Sequence, residues 1–352
     1  MVSFNSENIQ AAIDLMANSK HIAILTHMHP DGDAMGSSTG MLHFLEKSGK
    51  SAHILLNDKY PDNLSFLIGD DIRGKILILE ENPEGIRKVL EECDLMLCLD
   101  FNNLSRTEGL QELAASTDVP KILIDHHLSP VFDQFTHVFS ETAISSASEL
   151  SYWFLKEALA SGRFPEVTAL PLACGRALMT GMTTDTNNFA NSVFPSTLQM
   201  ASELLTAGVD RDDILSNLYN KLSENRLRLM GHLMKDVLEI TPDGVAFITL
   251  SKEDAARYQI REGETEGFVN MPLSIDRVRM SIFSKEDEGR ARISIRSKKG
   301  TSANLCARAW FNGGGHEQAA GGKLVYGTDV ADFSEVPEYI RIHTHKFLKG
   351  ND

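Results

Sequence analysis

The sequence predicts an α/β protein in which a doubly wound parallel sheet is joined by a long helix to a smaller α+β domain. Over the first half of the chain, short and nearly continuous apolar runs alternate with helical patterns, as expected for a sheet covered on both faces. A long amphipathic stretch dense in charge begins at residue 211. Beyond it, apolar and polar residues alternate in the manner of half-buried strands. The 352 residues also exceed one ordinary domain.

Four strands and two intervening helices are predicted in the first domain. The strands cover residues 22–26, 51–56, 95–100 and 121–125, and the helices cover residues 37–47 and 84–92. Because strands and helices alternate, the strands should lie parallel in one sheet with helices on both faces. From Ser148 the pattern turns helical and continues through three apolar stretches up to residue 208.

The chain is predicted to have three regions. These are the first domain at residues 1–210, a linker helix at residues 211–240, and the second domain at residues 241–352. An alternative, in which residues 211–240 form one more core helix of the first domain, fits the pattern almost as well.

The second domain is predicted to contain strands at residues 245–250, 278–283 and 291–297. In the last of these, Arg292, Ser294 and Arg296 fall on one face, and apolar residues fall on the other. A glycine-rich run follows at residues 311–322.

The charge of the chain limits its substrates. Its 34 basic and 49 acidic residues give a net charge of −15. A protein that grips long nucleic acid normally displays a basic face, and this chain repels polyanions at long range. An anionic substrate should therefore be short, and no long nucleic acid is expected as a partner.

No membrane partner is expected either. No apolar run approaches the roughly 18 residues needed to span a bilayer. Residues 1–20 have the pattern of a helix without a cleavable signal. The chain has four cysteines and no CxxC pair, which indicates reduced, buried thiols in a cytoplasmic protein.

Acidic and histidine side chains cluster where three of the four predicted strands end. The clustered residues are His27, Asp31 and Asp33 after the first strand, Asp100 at the end of the third, Asp125, His126 and His127 at the end of the fourth, and Asp185 after a later helix. Open parallel sheets bind ligands beyond the carboxyl ends of their strands, so these side chains should converge.

This set of residue types suits a pair of hard divalent cations. Carboxylates and neutral imidazoles bind Mn²⁺ or Mg²⁺, and four carboxylates would balance two such ions. A carboxylate shared between two ions is usual in phosphoryl-transfer sites. A spare histidine beside a ligand histidine could contact the phosphate or protonate the leaving oxygen. Aspartates at strand ends are also common helix caps, but clusters at three separate strand ends favour the metal site.

The same residues carry a family resemblance. The pattern H-x-x-P-D-x-D-x-x-G-S is met by His27, Pro30, Asp31, Asp33, Gly36 and Ser37, and the triplet Asp125-His126-His127 follows. Later come Ile295-Arg296-Ser297, the run Gly313-Gly314-Gly315-His316, and Ala319-Ala320-Gly321-Gly322. In both halves the chain resembles the DHH phosphoesterase superfamily with its DHH-associated domain.

The resemblance implies roles for these residues. His27, rather than His29, would be a ligand, together with Asp31 and Asp100, of one metal ion. The second ion would be held by Asp33, Asp100, His126 and Asp185, with Asp100 bridging. His127 and Asp125 would be catalytic, His127 contacting the scissile phosphate. The substrate would be held by Arg296, Ser297, Gly313, Gly314, Gly315 and His316. The resemblance implies two ions, with Mn²⁺ preferred and Mg²⁺ or Co²⁺ as alternatives.

Within the superfamily, the length and architecture resemble the bifunctional nano-RNA hydrolases, which degrade very short RNA and dephosphorylate 3′-phosphoadenosine 5′-phosphate. Alternatives are a cyclic or linear dinucleotide phosphodiesterase, a polyphosphate or pyrophosphate hydrolase, and a nucleotide-binding regulatory protein without activity. A homodimer is a further possibility. Two residues raise questions: Asn187 stands where relatives usually have glycine, and Arg106 could touch substrate or form a surface ion pair. We favour the ion pair.

Overall fold

The computed structural model describes residues 4–261, 263–315 and 317–350. The chain divides into two compact units, Met1–Lys221 and Leu222–Asp352. Strands of the first unit are β1 (His21–Leu25), β2 (Ser51–Leu56), β3 (Ile76–Ile78), β4 (Leu95–Leu99), β5 (Lys121–Asp125) and β6 (His137–Ser140). Its helices are α1 (Ser6–Asn18), α2 (Gly32–Lys47), α3 (Pro83–Glu92), α4 (Gln111–Ala115), α5 (Ala147–Ala160), α6 (Leu172–Asp185), α7 (Pro195–Thr206) and α8 (Arg211–Tyr219).

The strands of the first unit form one parallel sheet in the order β3-β2-β1-β4-β5-β6. The predicted parallel α/β sheet is confirmed. All residues of the interior strands β4 and β5 are buried, which explains the apolar sequence of β4 and of the middle three residues of β5. The chain runs from β1 towards one edge of the sheet and from β4 towards the other. The loops after β1 and β4 therefore diverge and leave a crevice at the carboxyl ends of the strands.

Close packing of α2 against α6 brings their polar ends together. A Cβ atom on Gly36 of α2 would lie 2.7 Å from the carbonyl oxygen of Ala177 and 2.7 Å from the Cα of Gly181, both in α6. Only glycine allows the two backbones to approach this closely. Asp33, in the first turn of α2, and Asp185, the last residue of α6, reach the same edge of the sheet as a result.

The prediction of one helix over residues 211–240 was wrong. Helix α8 ends at Tyr219, and a new helix α9 (Glu224–His232) begins after Ser223. The Ser223 side chain accepts a hydrogen bond from the Arg226 N–H at 3.0 Å, which is an N-cap inside the amphipathic run. The two compact units meet in sequence between these helices, at residues 221 and 222. A π-helical turn, Leu233–Val237, follows α9.

The second unit contains a mixed sheet. Its strands are β7 (Glu239–Ile240), β8 (Val245–Leu250), β9 (Met280–Asp287), β10 (Arg290–Ser297), β11 (Gly314–Gly315) and β12 (Ala319–Val325), in the order β11-β12-β10-β9-β8-β7. Its remaining helices are α10 (Lys252–Arg257), α11 (Ala303–Trp310) and α12 (Val336–Lys349). Strands β8 and β9 are parallel and the other pairs are antiparallel. The predicted α+β architecture is confirmed.

Burial follows the predicted alternation along β10. Ala291, Ile293 and Ile295 are buried in the core of the second unit, and Arg292 and Arg296 lie on the opposite face. All four cysteines of the chain are free and buried, as predicted. Among the described residues, no helix is long and apolar enough to cross a membrane.

Candidate metal centre

The predicted ligands converge at the carboxyl edge of the parallel sheet. His27 lies two residues beyond β1, Asp100 directly follows β4, and His126 directly follows β5. Asp33 lies in the first turn of α2, and Asp185 is the last residue of α6. Residues separated by up to 158 positions in sequence therefore share one small, mostly buried volume.

The first group of potential ligands is centred on His27. Its Nε2 lies 3.4 Å from Asp100 Oδ2 and 3.8 Å from Asp31 Oδ1. Its Nδ1 lies 2.7 Å from the Met28 carbonyl oxygen, a geometry in which Nδ1–H donates and the Nε2 lone pair faces the carboxylates. His27, Asp31 and Asp100 can hold one cation. His29 points elsewhere: its side chain is 77% exposed and lies beside Asp58.

The second group is centred on His126. Its Nε2 lies 3.4 Å from Asp185 Oδ2, 3.5 Å from Asp100 Oδ1 and 3.8 Å from Asp33 Oδ2. The ligand atoms of Asp33, His126 and Asp185 all lie within 4.8 Å of one another. These residues can hold a second cation, and Asp100 stands next to them.

Asp100 lies between the two groups. One carboxylate oxygen faces His27 and the other faces His126, as a bridging ligand requires. Oδ1 is buried and has no hydrogen-bond partner among the described residues, so it retains a free lone pair. The backbone φ of Asp100 is +65°, a strained value for a residue with a side chain. Hard oxygen and nitrogen donors with an unsatisfied buried carboxylate oxygen fit two divalent cations.

Asp33 is held by a helix that the sequence analysis did not connect with the site. Its carboxylate accepts hydrogen bonds from the backbone N–H groups of Ala147 at 2.6 Å and Ser148 at 2.8 Å, in the first turn of α5. A helix N-terminus stabilises a buried carboxylate in this position. A signal was present in the sequence, because Ser146 and Glu149 have the spacing of an N-cap, and the Glu149 N–H donates to Ser146 Oγ at 2.9 Å.

His127 lies beside the metal ligands and is oriented by Asp125. Its Nδ1 is 2.7 Å from Asp125 Oδ1, and Asp125 is fully buried. Nδ1 is also 3.8 Å from Asp100 Oδ1, so a ligand role for His127 is geometrically open. Because Asp125 accepts the Nδ1–H, the Nε2 atom of His127 is the one available to a substrate.

The carboxylates and histidines of the site shift one another's pKa values. Burial, together with the neighbouring Asp100, raises the pKa of Asp33 to about 7. Burial, together with Asp33 and Asp100, raises the pKa of Asp185 to about 9. Burial alone would lower the pKa of His126, but its contacts with Asp100 and the other carboxylates raise that pKa to about 10. An excess of buried negative charge thus attracts protons, and divalent cations would replace those protons.

The backbone of the loop after Asp185 explains how asparagine can stand at position 187, where relatives usually have glycine. Asn187 has φ +46°, and Asn188 and Phe189 have φ +58° and +66°. These values lie in the left-handed region, where glycine is most at ease and asparagine is tolerated better than most other residues. Asn187 therefore adopts the conformation that a glycine would favour at this position.

In the second unit, the structure brings most of the predicted substrate-binding residues to one corner of the sheet. Arg296 on β10 pairs with Ala319 on β12, and Gly315 on β11 pairs with Ala320 on β12. The Arg296 guanidinium is half-buried and donates to the Ile295 carbonyl at 3.0 Å. His316, the other predicted contact, lies outside the described residues.

Some of these groups already have internal partners. Ser297 Oγ donates to the Thr301 carbonyl at 2.6 Å, and the N–H groups of Gly313 and Gly315 donate to Ala307 and Asn304. A Cβ atom on Gly313 would lie 1.9 Å from the Gly321 carbonyl oxygen, so this glycine is required by strand packing. The substrate-binding roles remain a prediction.

Two further arginines, Arg106 and Arg308, are not among the predicted site residues. Arg106 is half-buried, and no ion pair to it is found within the described ranges, so the favoured ion pair was wrong. Its backbone carbonyl accepts the Met28 N–H at 2.7 Å, which places it beside the His27 loop. Arg308 on α11 is exposed and runs alongside Gly314, with Nε 3.6 Å from where a Cβ would stand. Arg308 therefore lies beside a predicted substrate-binding glycine.

Comparison with known proteins agrees with this geometry. Residues 21–182 match the DHH family, N-terminal domain, and residues 230–339 match the DHHA1 domain. A relative from Thermus thermophilus, named bifunctional oligoribonuclease and PAP phosphatase NrnA, is 31% identical over 306 residues, which cover 86% of this chain and 84% of the relative. A cyclic-di-AMP phosphodiesterase, PdeA of Listeria monocytogenes, is 25% identical over 256 residues, which cover 68% of this chain and 36% of that protein.

The structure also resembles a solved one over its full length. The crystal structure of an exopolyphosphatase-related protein from Bacteroides fragilis matches with a TM-score of 0.90 and 34% identity, covering 99% of this chain and 98% of that one. Both domain matches and the relatives that span most of the chain lead to one assignment. The chain belongs to the DHH family of metal-dependent phosphoesterases and carries the DHHA1 domain of that family.

Proposed function

We propose that this protein hydrolyses short oligoribonucleotides to mononucleotides and dephosphorylates 3′-phosphoadenosine 5′-phosphate in the cytoplasm. The observation that carries the proposal is Asp100, whose two oxygens face two separate histidine-containing ligand groups. The name of the Thermus thermophilus relative supports the choice of substrates. Mn²⁺ is the cation we favour, with Mg²⁺ or Co²⁺ as alternatives, because the donors are hard and no thiolate is among them.

In this proposal the ligands of one ion are His27, Asp31 and Asp100. The ligands of the second ion would be Asp33, Asp100, His126 and Asp185. Asp100 would therefore be a ligand of both ions. The chemistry that two such ions supply when bound is activation of a water nucleophile and neutralisation of phosphoryl charge. The protein's own part is to hold the carboxylates at fixed positions, which α5 does for Asp33.

His127 would act on the phosphate through Nε2. Asp125 accepts its Nδ1–H and is itself buried, so the imidazole ring has a fixed orientation. In the protonated state, Nε2–H would donate to a phosphoryl oxygen or transfer its proton to the leaving oxygen. Asp125 would thus be a positioning residue for His127.

The DHHA1 unit would contribute the contacts to the rest of the nucleotide. Arg296 and His316 are the proposed cations, and the exposed Arg308 beside Gly314 adds a third. A guanidinium matches the paired oxygens of a phosphate. With a net charge of −15, the chain would rely on these few local cations, which favours substrates of a few nucleotides.

Two other substrate classes are supported by relatives. The name of the Listeria monocytogenes relative favours a cyclic dinucleotide, and that of the Bacteroides fragilis protein favours polyphosphate. Both reactions use the same metal ligands. They differ in what the second unit must recognise, because polyphosphate lacks a base and a sugar.

A substrate panel tests the proposal. The purified protein with Mn²⁺ is incubated separately with an RNA dinucleotide, RNA of about 24 nucleotides, 3′-phosphoadenosine 5′-phosphate, pyrophosphate and cyclic di-AMP. Fast cleavage of the dinucleotide and the bisphosphate, with slow cleavage of the long RNA, is expected. Preferential turnover of pyrophosphate or cyclic di-AMP would replace the proposed substrate. Tight nucleotide binding without turnover would mean a regulatory protein.

Substitution at the site tests its assignment. Asp125→Ala and His126→Ala should abolish turnover while the far-ultraviolet circular dichroism stays unchanged. Asp118→Asn is the matched control, because Asp118 is exposed and precedes β5 at the opposite edge of the sheet. Full activity in His126→Ala would rule out the assigned centre.

A further inference from the structure

Two large apolar side chains are exposed in the segment that directly follows His127. Leu128 is 74% exposed and Phe132 is 67% exposed. Leu128 directly follows His127, and Phe132 begins a short 3₁₀ turn. The segment between them, Leu-Ser-Pro-Val-Phe, contains no charged residue, although 24% of the chain is charged. An uncharged, apolar rim therefore adjoins a centre made of carboxylates.

Hydrogen bonds fix this rim to the loop that follows Asp100. The Asn102 side chain donates to the Leu128 carbonyl at 2.7 Å, and the Val131 N–H donates to the Asn102 carbonyl at 2.9 Å. The Leu104 N–H donates to Gln134 Oε1 at 2.9 Å. The rim is thus held at the carboxyl edge of the sheet, next to two of the strand ends that carry the metal ligands.

A neighbouring aromatic residue, rather than Phe132, supplies the contact of this segment with the core. Phe135, three residues beyond Phe132, is buried and packs against Phe101 with ring centroids 6.4 Å apart. The segment therefore already has its anchor in the core. Phe132 makes no ring contact with another aromatic residue in the described part of the chain. Apolar side chains left exposed at the mouth of a site commonly contact a ligand.

We propose that Leu128 and Phe132 form a contact surface for a nucleobase of the substrate, with Phe132 stacking on the base. The inference rests on the proposed function, in which a nucleotide phosphate lies at the metal centre. A base has an apolar face and no charge, so it can approach this rim while its phosphate is held at the cations. Stacking accepts every base, and the surface would therefore favour nucleotides over inorganic phosphates without selecting a sequence.

Steady-state kinetics of two variants test the surface. For Phe132→Ala, KM for an RNA dinucleotide should rise about tenfold with little change in kcat, because loss of one stacking contact weakens binding by about that factor. Phe132→Tyr should restore the wild-type KM. Leu128→Ala should raise KM less than Phe132→Ala does. Any turnover of pyrophosphate should be the same in all variants, since pyrophosphate has no base.

A matched control separates a local contact from a general effect of exposed leucines. Leu172 is 57% exposed and is the first residue of α6, whose last residue is Asp185. At 1.5 Å per residue it lies about 20 Å from the centre. Leu172→Ala should leave KM for the dinucleotide unchanged.

A binding measurement distinguishes failure of this inference from failure of the proposed function. Fluorescence of 2-aminopurine riboside 5′-monophosphate should be quenched on binding to the wild type and much less by Phe132→Ala, whether or not the protein turns over RNA. Equal quenching and equal KM in both proteins would overturn the inference. If Phe132→Ala changed only the oligomeric state in sedimentation, the rim would be an interface between copies and the inference would be wrong.

Discussion

Asp100 is the residue on which the candidate centre depends most. It is almost fully buried, it directly follows the central strand β4, and its two oxygens face different histidines. Burial would raise its pKa, but the contacts with His126 and His27 hold that pKa well below its usual range. The carboxylate is therefore ionised throughout the physiological range, with one oxygen still free of hydrogen bonds in the described structure.

Replacing Asp100 with asparagine should remove the bridge. An amide carries no charge and offers one oxygen, so the protein should bind at most one divalent ion tightly, and kcat should fall about 100-fold or more. Metal content after gel filtration, measured by inductively coupled plasma mass spectrometry, checks the stoichiometry. Asp118→Asn should keep the wild-type metal content. Two tightly bound ions in Asp100→Asn would show that Asp100 does not bridge.

Asn187 provides a second prediction at this scale. With φ +46°, Asn187→Gly should change the free energy of unfolding by less than about 1 kcal/mol, whereas Asn187→Val should lower it by about 1–2 kcal/mol. A β-branched side chain is strained in the left-handed region. Urea denaturation of both variants measures the difference. Equal stability of the valine and glycine variants would contradict the backbone conformation described for this loop.

At the scale of elements, the contact between α2 and α6 positions both of their aspartates. The contact depends on Gly36, because its neighbours across the interface are backbone atoms that cannot rotate away. Helix α5 adds the second constraint, through its N-terminal N–H groups on Asp33. Three helices thus set the positions of ligands that do not come from the strand ends.

Gly36→Ala should therefore affect both stability and the metal centre. A methyl group 2.7 Å from the α6 backbone would force the helices apart, at a cost of about 1–3 kcal/mol in the free energy of unfolding. Affinity for Mn²⁺ should fall as well, because Asp33 and Asp185 would separate. Urea denaturation and isothermal titration calorimetry measure the two effects.

Gly231→Ala is the matched control for this substitution. Gly231 is exposed in α9, and a Cβ there would have no atom within 4 Å. Alanine should stabilise that helix by about 0.5–1 kcal/mol and leave metal affinity unchanged. If Gly36→Ala were as stable as Gly231→Ala, the helices would tolerate a wider spacing than the structure shows.

At the scale of the whole molecule, charge is distributed unevenly. The chain is strongly acidic, and its first unit contains two carboxylates, Asp33 and Asp185, whose pKa values are raised by burial. The proposed cations for substrate are found mainly in the second unit, on β10 and α11. Each unit also has its own hydrophobic core.

Metal binding should release protons. Without cations, burial and neighbouring carboxylates raise the pKa of Asp33 to about 7 and that of Asp185 to about 9, and contacts with carboxylates outweigh burial to raise that of His27 to about 11. These groups hold protons below their pKa values and must lose them to act as ligands. Apparent affinity for Mn²⁺ should therefore rise as the pH increases from about 7 towards about 9.

Calorimetry in buffers of different ionisation enthalpy checks this expectation. The observed enthalpy of Mn²⁺ binding at one pH should vary with the buffer, because the buffer takes up the released protons. Repeating the titration with His126→Ala should reduce the number of protons released. An observed enthalpy independent of the buffer would contradict the protonated state of the cation-free centre.

The sequence by itself determined the fold class and the identities of the potential metal ligands. Strands β1, β2, β4 and β5 are fully buried or nearly so, and their apolar runs are local signals that need no knowledge of their neighbours. Acidic and histidine clusters stand at the ends of three of these strands, β1, β4 and β5, so their convergence follows from a parallel sheet. The family motifs in both halves add to this, and both matched domains agree with them.

Other features could be decided only by the tertiary structure, because they depend on contacts between residues far apart in sequence. The edge strands β3 and β6 have three and four residues and acquire their conformation from pairing with β2 and β5. The hold of α5 on Asp33 joins residues 114 and 115 positions apart. The division of residues 211–240 depends on one serine cap, and the exposure of Phe132 depends on Phe135 filling the core instead. Local sequence patterns show which residues can be buried and which can bind a metal ion. Tertiary packing decides which residues they contact.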